Sequence, residues 1–223
     1  MNGIILVLIL IIPALAQMMV SVNYNKYKQI ANKQELTGYD VARSILDKHD
    51  LKDMYIVETK GNLTDHYDPN KKVVRLSSDI YHGKTIAAMA VAAHECGHAI
   101  QDQEGYMYMR FRSAIFPIVH IATSISYAII ALGLLLESFN LIWLGIACVG
   151  TGLLFQIVTL PVEINASMRA KKELDHLKLA DTNEQQGVKQ MLFAAASTYL
   201  AGVLSSALEL VRLILILTNR EER

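Results

Sequence analysis

The stretch that decides the fold is 115–160, which reads IFPIVHIATSISYAIIALGLLLESFNLIWLGIACVGTGLLFQIVTL. It contains two apolar segments, 115–136 and 141–160, separated only by Glu137–Asn140. An apolar helix of about 20 residues is long enough to cross the hydrocarbon core of a bilayer. Two such helices joined by so short a loop must run antiparallel. The sequence therefore predicts a transmembrane hairpin over 113–160.

A third apolar segment lies at the start of the chain. Residues 3–20 are apolar, with Pro13 as an expected kink, and we predict a transmembrane anchor helix over 1–22. A cleaved signal peptide is the alternative, because Ala14–Ala16 resembles a cleavage site. We favour the anchor, since no basic residue precedes the apolar run as a signal peptide requires.

The last apolar segment, 191–217, predicts a fourth transmembrane helix ahead of a polar tail, 218–223. It contains Glu209 and Arg212, which are spaced to share one helix face. Charged residues within a span are candidates for function, and a transporter that uses this pair is one hypothesis. We favour a mutually neutralising pair with Arg212 reaching outward, because the sequence shows no internal repeat of the kind transporters have.

The charges of the chain are confined to blocks. The 223 residues include 21 basic and 21 acidic residues, and 52% are hydrophobic. Four long windows, 1–25, 113–136, 138–162 and 190–208, contain no charged residue, which excludes a simple soluble globule. The zero net charge argues against nucleic acid as a partner. Eighteen of the 21 basic residues lie in 23–112 and 161–190, which four crossings place on one side. The positive-inside rule predicts a multi-pass protein of the cell membrane, in contact with the lipid bilayer, with these segments in the cytoplasm.

The polar block 23–112 is predicted to form a small α+β domain. Residues 37–50 have the pattern of an amphipathic helix with Thr37 as N-cap. Short strands with turns between them are expected at 54–59, 63–67 and 73–76. Residues 85–102 predict a further helix, in which the apolar run Ile86–Ala93 is too short to cross a membrane and is therefore expected at the centre of the domain.

Three polar residues, His94, Glu95 and His98, interrupt this apolar helix in the pattern H-E-x-x-H. Residues i and i+4 lie on the same face of a helix, so both imidazoles can reach one tetrahedral Zn²⁺, with Glu95 as general base toward a zinc-activated water. Zinc is preferred because histidine and carboxylate ligands suit it. Two core histidines with other partners are the alternative, but burying these polar groups without a ligand would be costly.

A catalytic zinc needs a third protein ligand and an open position. The candidates in the same compartment are Glu104, Glu163, Glu173, Asp175, His66, His82 and His176. Glu163 is best placed, because it follows Pro161 at the end of the third span and the hairpin returns it toward the first zinc helix. We expect Glu163 to lie on a helix over 161–190. An ordinary carboxylate at the membrane interface is the alternative.

Five stretches of the chain carry a family resemblance: TGYDVARSIL (37–46), LTDHYDPNKKVVRLS (63–77), AAHECGHAIQDQEGY (92–106), LPVEINASMRA (160–170) and the last span with its STYLAG. Together they resemble the YugP-like bacterial membrane proteins, a family of neutral zinc metallopeptidases, over nearly the whole chain. The chain is also distantly similar to the HtpX and CAAX prenyl-protease group, in which a transmembrane hairpin likewise separates H-E-x-x-H from a glutamate ligand. The resemblance implies His94, His98 and Glu163 as zinc ligands and Glu95 as the base.

One departure from those relatives concerns position 167. The distant relatives have an aspartate four residues after the ligand glutamate, where it orients a ligand histidine. This chain has Ser167 at that position. The groups that orient its histidines must therefore be arranged differently.

The sequence thus predicts a mainly α-helical integral membrane protein with four transmembrane helices and a small α+β zincin-like metalloprotease domain at the membrane surface. We expect it to hydrolyse peptide bonds of a peptide or protein substrate, which can itself be a membrane protein. A non-hydrolytic membrane adaptor with a structural or regulatory zinc site is the alternative. Residues able to stabilise the oxyanion are Arg169, His176, His66, Tyr67 and Tyr106. A further hypothesis is that the strand around Asp65–Tyr67 presents a free edge, to which a peptide substrate binds as an additional strand.

Overall fold

The computed structural model describes the backbone of residues 2–221 and the side chains of residues 3–218. Over this range the chain is mainly helical and has one small sheet. Four of its helices are long and apolar enough to cross a membrane. The chain divides into two compact units, each built from separate stretches of sequence.

The helices, in chain order, are α1 (Asn2–Tyr27), α2 (Gly38–Lys48), α3 (Ser78–Tyr81), α4 (Ile86–Gln103), α5 (Met107–Leu135), α6 (Phe139–His176) and α7 (Thr182–Glu221). The strands are β1 (Tyr55–Thr59), β2 (His66–Asp68) and β3 (Val73–Ser77). The helices that qualify as membrane spans are α1, α5, α6 and α7.

The first unit comprises the described parts of Met1–Gln17, Met107–Pro161 and Ser197–Arg223. Within it, α5 and α6 contact each other in antiparallel order, as the short loop between them predicts. A Cβ atom built on Gly133 would lie 2.8 Å from the backbone nitrogen of Ile142, and one built on Gly145 would lie 2.9 Å from the Ser126 carbonyl oxygen. Small residues at these crossings therefore allow the two backbones to pack closely.

The charged pair of the last span also lies in this unit. The Arg212 guanidinium donates to both carboxylate oxygens of Glu209, with Nε to Oε2 at 2.9 Å and the second nitrogen to Oε1 at 2.9 Å. The expected neutralising pair therefore forms. Tyr127, which the sequence did not indicate, donates its hydroxyl to Glu209 Oε1 at 2.9 Å.

The second unit comprises Met18–Tyr106 and Val162–Ala196. Its sheet has the order β1-β3-β2, with β1 parallel and β2 antiparallel to β3. Helix α2 packs its buried residues Val41, Ile45 and Leu46 against α4. Thr37 caps α2 as predicted, because its hydroxyl accepts from the Asp40 amide and the Asp40 carboxylate accepts from the Thr37 amide.

The second strand is shorter and later than the predicted 63–67. Gly61 and Leu63 adopt positive φ angles of 103° and 54°, so the chain turns until residue 65 and β2 begins at His66. The one-turn helix α3 was not predicted from the sequence. The prediction of a strand over 63–67 rested on the turn residues Asp68–Asn70 that follow it, and these do not locate the earlier turn at Gly61 and Leu63.

The structure differs from the prediction of a separate helix over 161–190. Helix α6 continues from the third span through Pro161 to His176, at the cost of the hydrogen bond that the proline nitrogen cannot donate. Lys178 then closes the helix with a φ of 54°, and the Leu179 amide donates to the Leu174 carbonyl at 2.9 Å. Asp181 accepts from the Glu184 amide at 2.8 Å and so starts α7.

Candidate metal centre

Helix α4 carries three of the predicted site residues. Thr85 caps its N-terminus by accepting from the Ala88 amide at 3.2 Å. Nearly every residue of α4 is buried, and Cys96 Sγ lies 3.6 Å from the Ala42 carbonyl oxygen of α2. The helix that presents His94, Glu95 and His98 is therefore held firmly by its surroundings, which is a requirement for a site with defined geometry.

Gly97, which lies between the two histidines, determines how closely α6 approaches α4. A Cβ atom built on Gly97 would lie 2.5 Å from the carbonyl oxygen of Ala166. The absence of a side chain at Gly97 therefore lets the backbone of 162–170 pass directly over the H-E-x-x-H turn. This close passage brings Glu163 to the histidines.

The structure brings the three predicted ligands together. Glu163 Oε2 lies 3.3 Å from His94 Nε2 and 3.4 Å from His98 Nε2. One ligand atom from each of the three residues lies within 4.8 Å of the others. The Glu163 side chain is 3% exposed, and those of His94 and His98 are 13% and 11% exposed. Within the described residues, this is the cluster of histidine and carboxylate groups suited to hold a metal ion.

These distances can be compared with those of a zinc site. Zinc binds imidazole nitrogens and carboxylate oxygens at about 2.0–2.2 Å, so ligands at tetrahedral angles lie about 3.3–3.5 Å apart. The two distances from Glu163 to the histidines, 3.3 and 3.4 Å, fall in this range. Two imidazoles and one carboxylate also form the donor set that zinc takes in catalytic sites. The residues present fit zinc.

Each histidine has a partner on its other ring nitrogen. His94 Nδ1 lies 3.2 Å from Ser167 Oγ, and His98 Nδ1 lies 3.0 Å from Gln101 Oε1. Contacts of this kind fix the orientation of ligand imidazoles. Ser167, the residue at the position where the sequence departs from the resemblance, therefore contacts one of the two predicted ligand histidines. The sequence did not indicate a role for Gln101.

Glu95 is buried beside the two histidines and is 8% exposed. Burial raises the pKa of its carboxyl above the ordinary value, while the neighbouring His94 and His98 imidazoles oppose that rise. A carboxylate with a raised pKa is a better proton acceptor than an exposed one. Glu95 therefore has the environment that a general base needs.

The other candidates for the third ligand have other partners. Glu104 binds Arg169 at 2.7 Å, Glu173 binds Lys48 at 2.7 Å, and His82 faces Glu58 at 3.3 Å. The remaining three also contact other groups: Asp175 accepts from Gln185, His66 contacts the Thr64 carbonyl, and His176 lies near Lys48. Glu163 is the candidate that the structure places with the histidines.

The residues considered for oxyanion stabilisation are also engaged elsewhere. Tyr67 donates its hydroxyl to Asp102 at 2.7 Å, and Arg169 binds Asn165 and Glu104. His66 and His176 are exposed and have the contacts given above.

The chain was compared with known proteins. A family profile described as "Putative neutral zinc metallopeptidase" matches residues 3–218. The Bacillus subtilis (strain 168) protein named "Putative membrane protease YugP" is 44% identical over 204 residues, covering 92% of this chain and 91% of that protein. No solved structure shows significant similarity to the chain. The match over almost the whole length shows that this protein belongs to the zinc metallopeptidase family that the profile describes.

Proposed function

We propose that this chain is a membrane-embedded zinc metalloprotease. The observation that carries the proposal is the convergence of His94, His98 and Glu163 beside the buried Glu95. The family description and the name of the Bacillus subtilis relative support the same reaction class. In this proposal the second unit is a zincin-like domain, in which a mixed sheet and the H-E-x-x-H helix form one core.

His94, His98 and Glu163 would hold the metal through Nε2, Nε2 and Oε2. When bound there, zinc supplies Lewis acidity, which polarises a peptide carbonyl and makes water easier to deprotonate. Ser167 and Gln101 hold the two imidazole rings in place. The protein therefore provides three ligands and leaves a fourth position for the reacting groups.

Glu95 moves the proton in the proposed reaction. Its carboxylate takes a proton from the attacking water and passes it to the nitrogen of the leaving amine. General acid–base catalysis of this kind contributes about 10²–10⁴-fold to a rate.

The edge of the sheet is the proposed docking place for the substrate. Strand β2 pairs with β3 on one side and is the last strand of the sheet in the described part of the chain. Asp65, directly before β2, is close enough to Glu95 for its charge to act on the Glu95 carboxyl. A peptide that adds to this edge would therefore pass near the base. Proline substitutions across 63–67 should impair cleavage, and unimpaired cleavage would contradict this docking mode.

The proposed location is the cell membrane, with the site on the cytoplasmic side. Four helices are long and apolar enough to span a bilayer, and the relative is named a membrane protease. Most basic residues lie in the two polar segments that contain the site residues. That distribution supports a cytoplasmic position for these segments.

The test of the proposed function is Glu95→Gln, which removes the base and keeps the three ligands. We expect zinc content to stay at the wild-type level and cleavage of casein or a membrane-protein substrate to fall at least about a hundredfold. Glu35→Gln is the matched control, because the Glu35 side chain is 77% exposed. Cleavage by Glu95→Gln at the wild-type rate would refute the role of Glu95. Zinc binding without hydrolysis of a broad peptide library by the wild type would instead favour the adaptor.

A further inference from the structure

Gln101 is a fully buried glutamine whose polar atoms all have partners. Its Oε1 lies 3.0 Å from His98 Nδ1. Its Nε2 donates to the Val162 carbonyl at 2.8 Å and to Asn165 Oδ1 at 2.9 Å. The Gln101 side chain has no exposed surface, and an amide left unpaired there would cost free energy. The amide therefore links the helix of His98 to the helix of Glu163.

This link continues to the protein surface. Arg169 Nε donates to the same Asn165 oxygen at 2.7 Å. The other end of the guanidinium binds Glu104 Oε2 at 2.7 Å, and the Glu104 side chain is half exposed. One chain of hydrogen bonds thus runs from Glu104 through Arg169, Asn165 and Gln101 to His98.

The groups that flank Asn165 and Gln101 determine the direction of each hydrogen bond in this series. A guanidinium can only donate, so Asn165 must present its oxygen to Arg169. A backbone carbonyl can only accept, so Gln101 must present its NH₂ group to Val162. The remaining atom of the Gln101 amide is its oxygen, which faces His98 Nδ1. Nδ1 must therefore carry the proton.

We propose that this chain of hydrogen bonds fixes the tautomer of His98, so that Nε2 is the lone-pair nitrogen directed at the metal position. Gln101 is then a positioning residue, which acts on the metal through His98. The proposal rests on the metal site of the proposed function but does not depend on hydrolysis. Partners on the second ring nitrogen of ligand histidines typically change metal affinity by about 10–100-fold.

The first measurement is zinc affinity, by competition with a chelator on the full-length protein in detergent. Gln101→Leu removes the acceptor, and we expect zinc affinity to fall about 10–100-fold. Gln103→Leu is the matched control, because Gln103 lies on the same helix, is exposed and donates only to the His49 carbonyl. Its affinity should equal that of the wild type.

The second measurement is the tautomer itself, by ¹⁵N NMR of histidine-labelled, zinc-free protein at alkaline pH. It uses a Glu163→Ala background, because Glu163 Oε2 lies 3.4 Å from His98 Nε2 and would itself hold a proton on that nitrogen. The His98 signals are assigned by their loss in His98→Ala. We expect a single Nδ1–H tautomer when Gln101 is present and a mixture of tautomers in Gln101→Leu. A role of Gln101 in stability alone would lower the melting temperature without changing the tautomer.

Two results would overturn the proposal: a folded Gln101→Leu with unchanged zinc affinity, or one with an unchanged tautomer. If Gln101→Leu does not fold, Gln101→Met replaces it, because methionine has a similar length and also removes the amide oxygen that faces Nδ1. Unchanged zinc affinity in this folded variant would again overturn the proposal. Absence of hydrolysis in the wild type would defeat the proposed function alone and leave these measurements unaffected.

Discussion

Gly97 and Ala166 are in backbone contact at the centre of the metal site. The position of a Cβ atom on Gly97 is 2.5 Å from the Ala166 carbonyl oxygen, whereas an ordinary contact requires at least 3.4 Å. The turn between His94 and His98 and the segment that carries Glu163 therefore pack too closely to leave room for a side chain at position 97. The geometry of the three candidate ligands therefore depends on the absence of a side chain at Gly97.

Gly97→Ala should therefore weaken metal binding. The added methyl group would push the two backbones apart, because its 2.5 Å distance from the Ala166 oxygen is well below an ordinary contact. Distances between a metal and its ligands vary by only about 0.2 Å. We expect zinc affinity to fall by at least about a hundredfold, measured by chelator competition. Gly150→Ala is the control, because a Cβ atom there meets only Leu210 at 3.9 Å. Wild-type affinity in Gly97→Ala would show that the close contact is not needed.

Ser167 offers a second test of the site. Its hydroxyl lies 3.2 Å from His94 Nδ1. Ser167→Ala should lower zinc affinity about fivefold, the equivalent of a neutral hydrogen bond of about 1 kcal/mol. Ser167→Asp should raise the affinity above the wild type, because a carboxylate partner makes the imidazole a stronger ligand. Ser167→Thr keeps the hydroxyl and serves as control. The opposite order of affinities for the alanine and aspartate variants would contradict the contact.

Asp65 predicts a dependence of stability on pH. Burial raises the pKa of Asp65, although the Ser77 amide and hydroxyl, which donate to it at 2.7 and 3.0 Å, oppose this rise. The folded protein then binds the Asp65 proton more tightly than the unfolded chain, so the ionised group costs stability at neutral pH. That cost disappears as the pH falls through the raised pKa.

Asp65→Asn keeps an acceptor for Ser77 and removes the charge. Its melting temperature at neutral pH should equal that of the wild type or exceed it by a few degrees, and the difference should narrow as the pH is lowered. Asp65→Leu, which loses the acceptor, should be destabilised at every pH. Thermal melts at a series of pH values measure both effects. If the difference in melting temperature between Asp65→Asn and the wild type widened as the pH was lowered, the pKa of Asp65 would not be raised in the folded protein.

The pair Glu209 and Arg212 predicts a non-additive effect on stability. Each single variant, Glu209→Gln or Arg212→Gln, leaves one charge without its partner in an apolar helix, so stability should fall by about 1–3 kcal/mol. The double variant should recover much of this loss, because no uncompensated charge remains. Thermal melting in detergent measures the stability of the wild type, the two single variants and the double variant. Zinc content should be unchanged in all three variants. Additive losses would show that the two residues do not act as a pair.

Local features of the structure were largely accessible from the sequence. The apolar segments predicted the long helices, and Thr37 with Asp40 predicted the start of α2, because helix length and capping are local properties. The turn before β2 and the continuous course of α6 through Pro161 were not predicted. Both depend on the balance between local preference and packing with distant residues, which a single segment does not contain.

By itself, the sequence determined the types of residue in the site and the helical spacing of His94 and His98, since four residues make about one helical turn. It favoured Glu163 among seven candidates for the third ligand and assigned no role to Gln101. Only the tertiary structure placed Glu163 beside the histidines and Ser167 and Gln101 against them. The physical reason is that Glu163 lies 65 residues beyond His98 in the chain. Their contact depends on backbone packing at Gly97, which no periodicity in the sequence records.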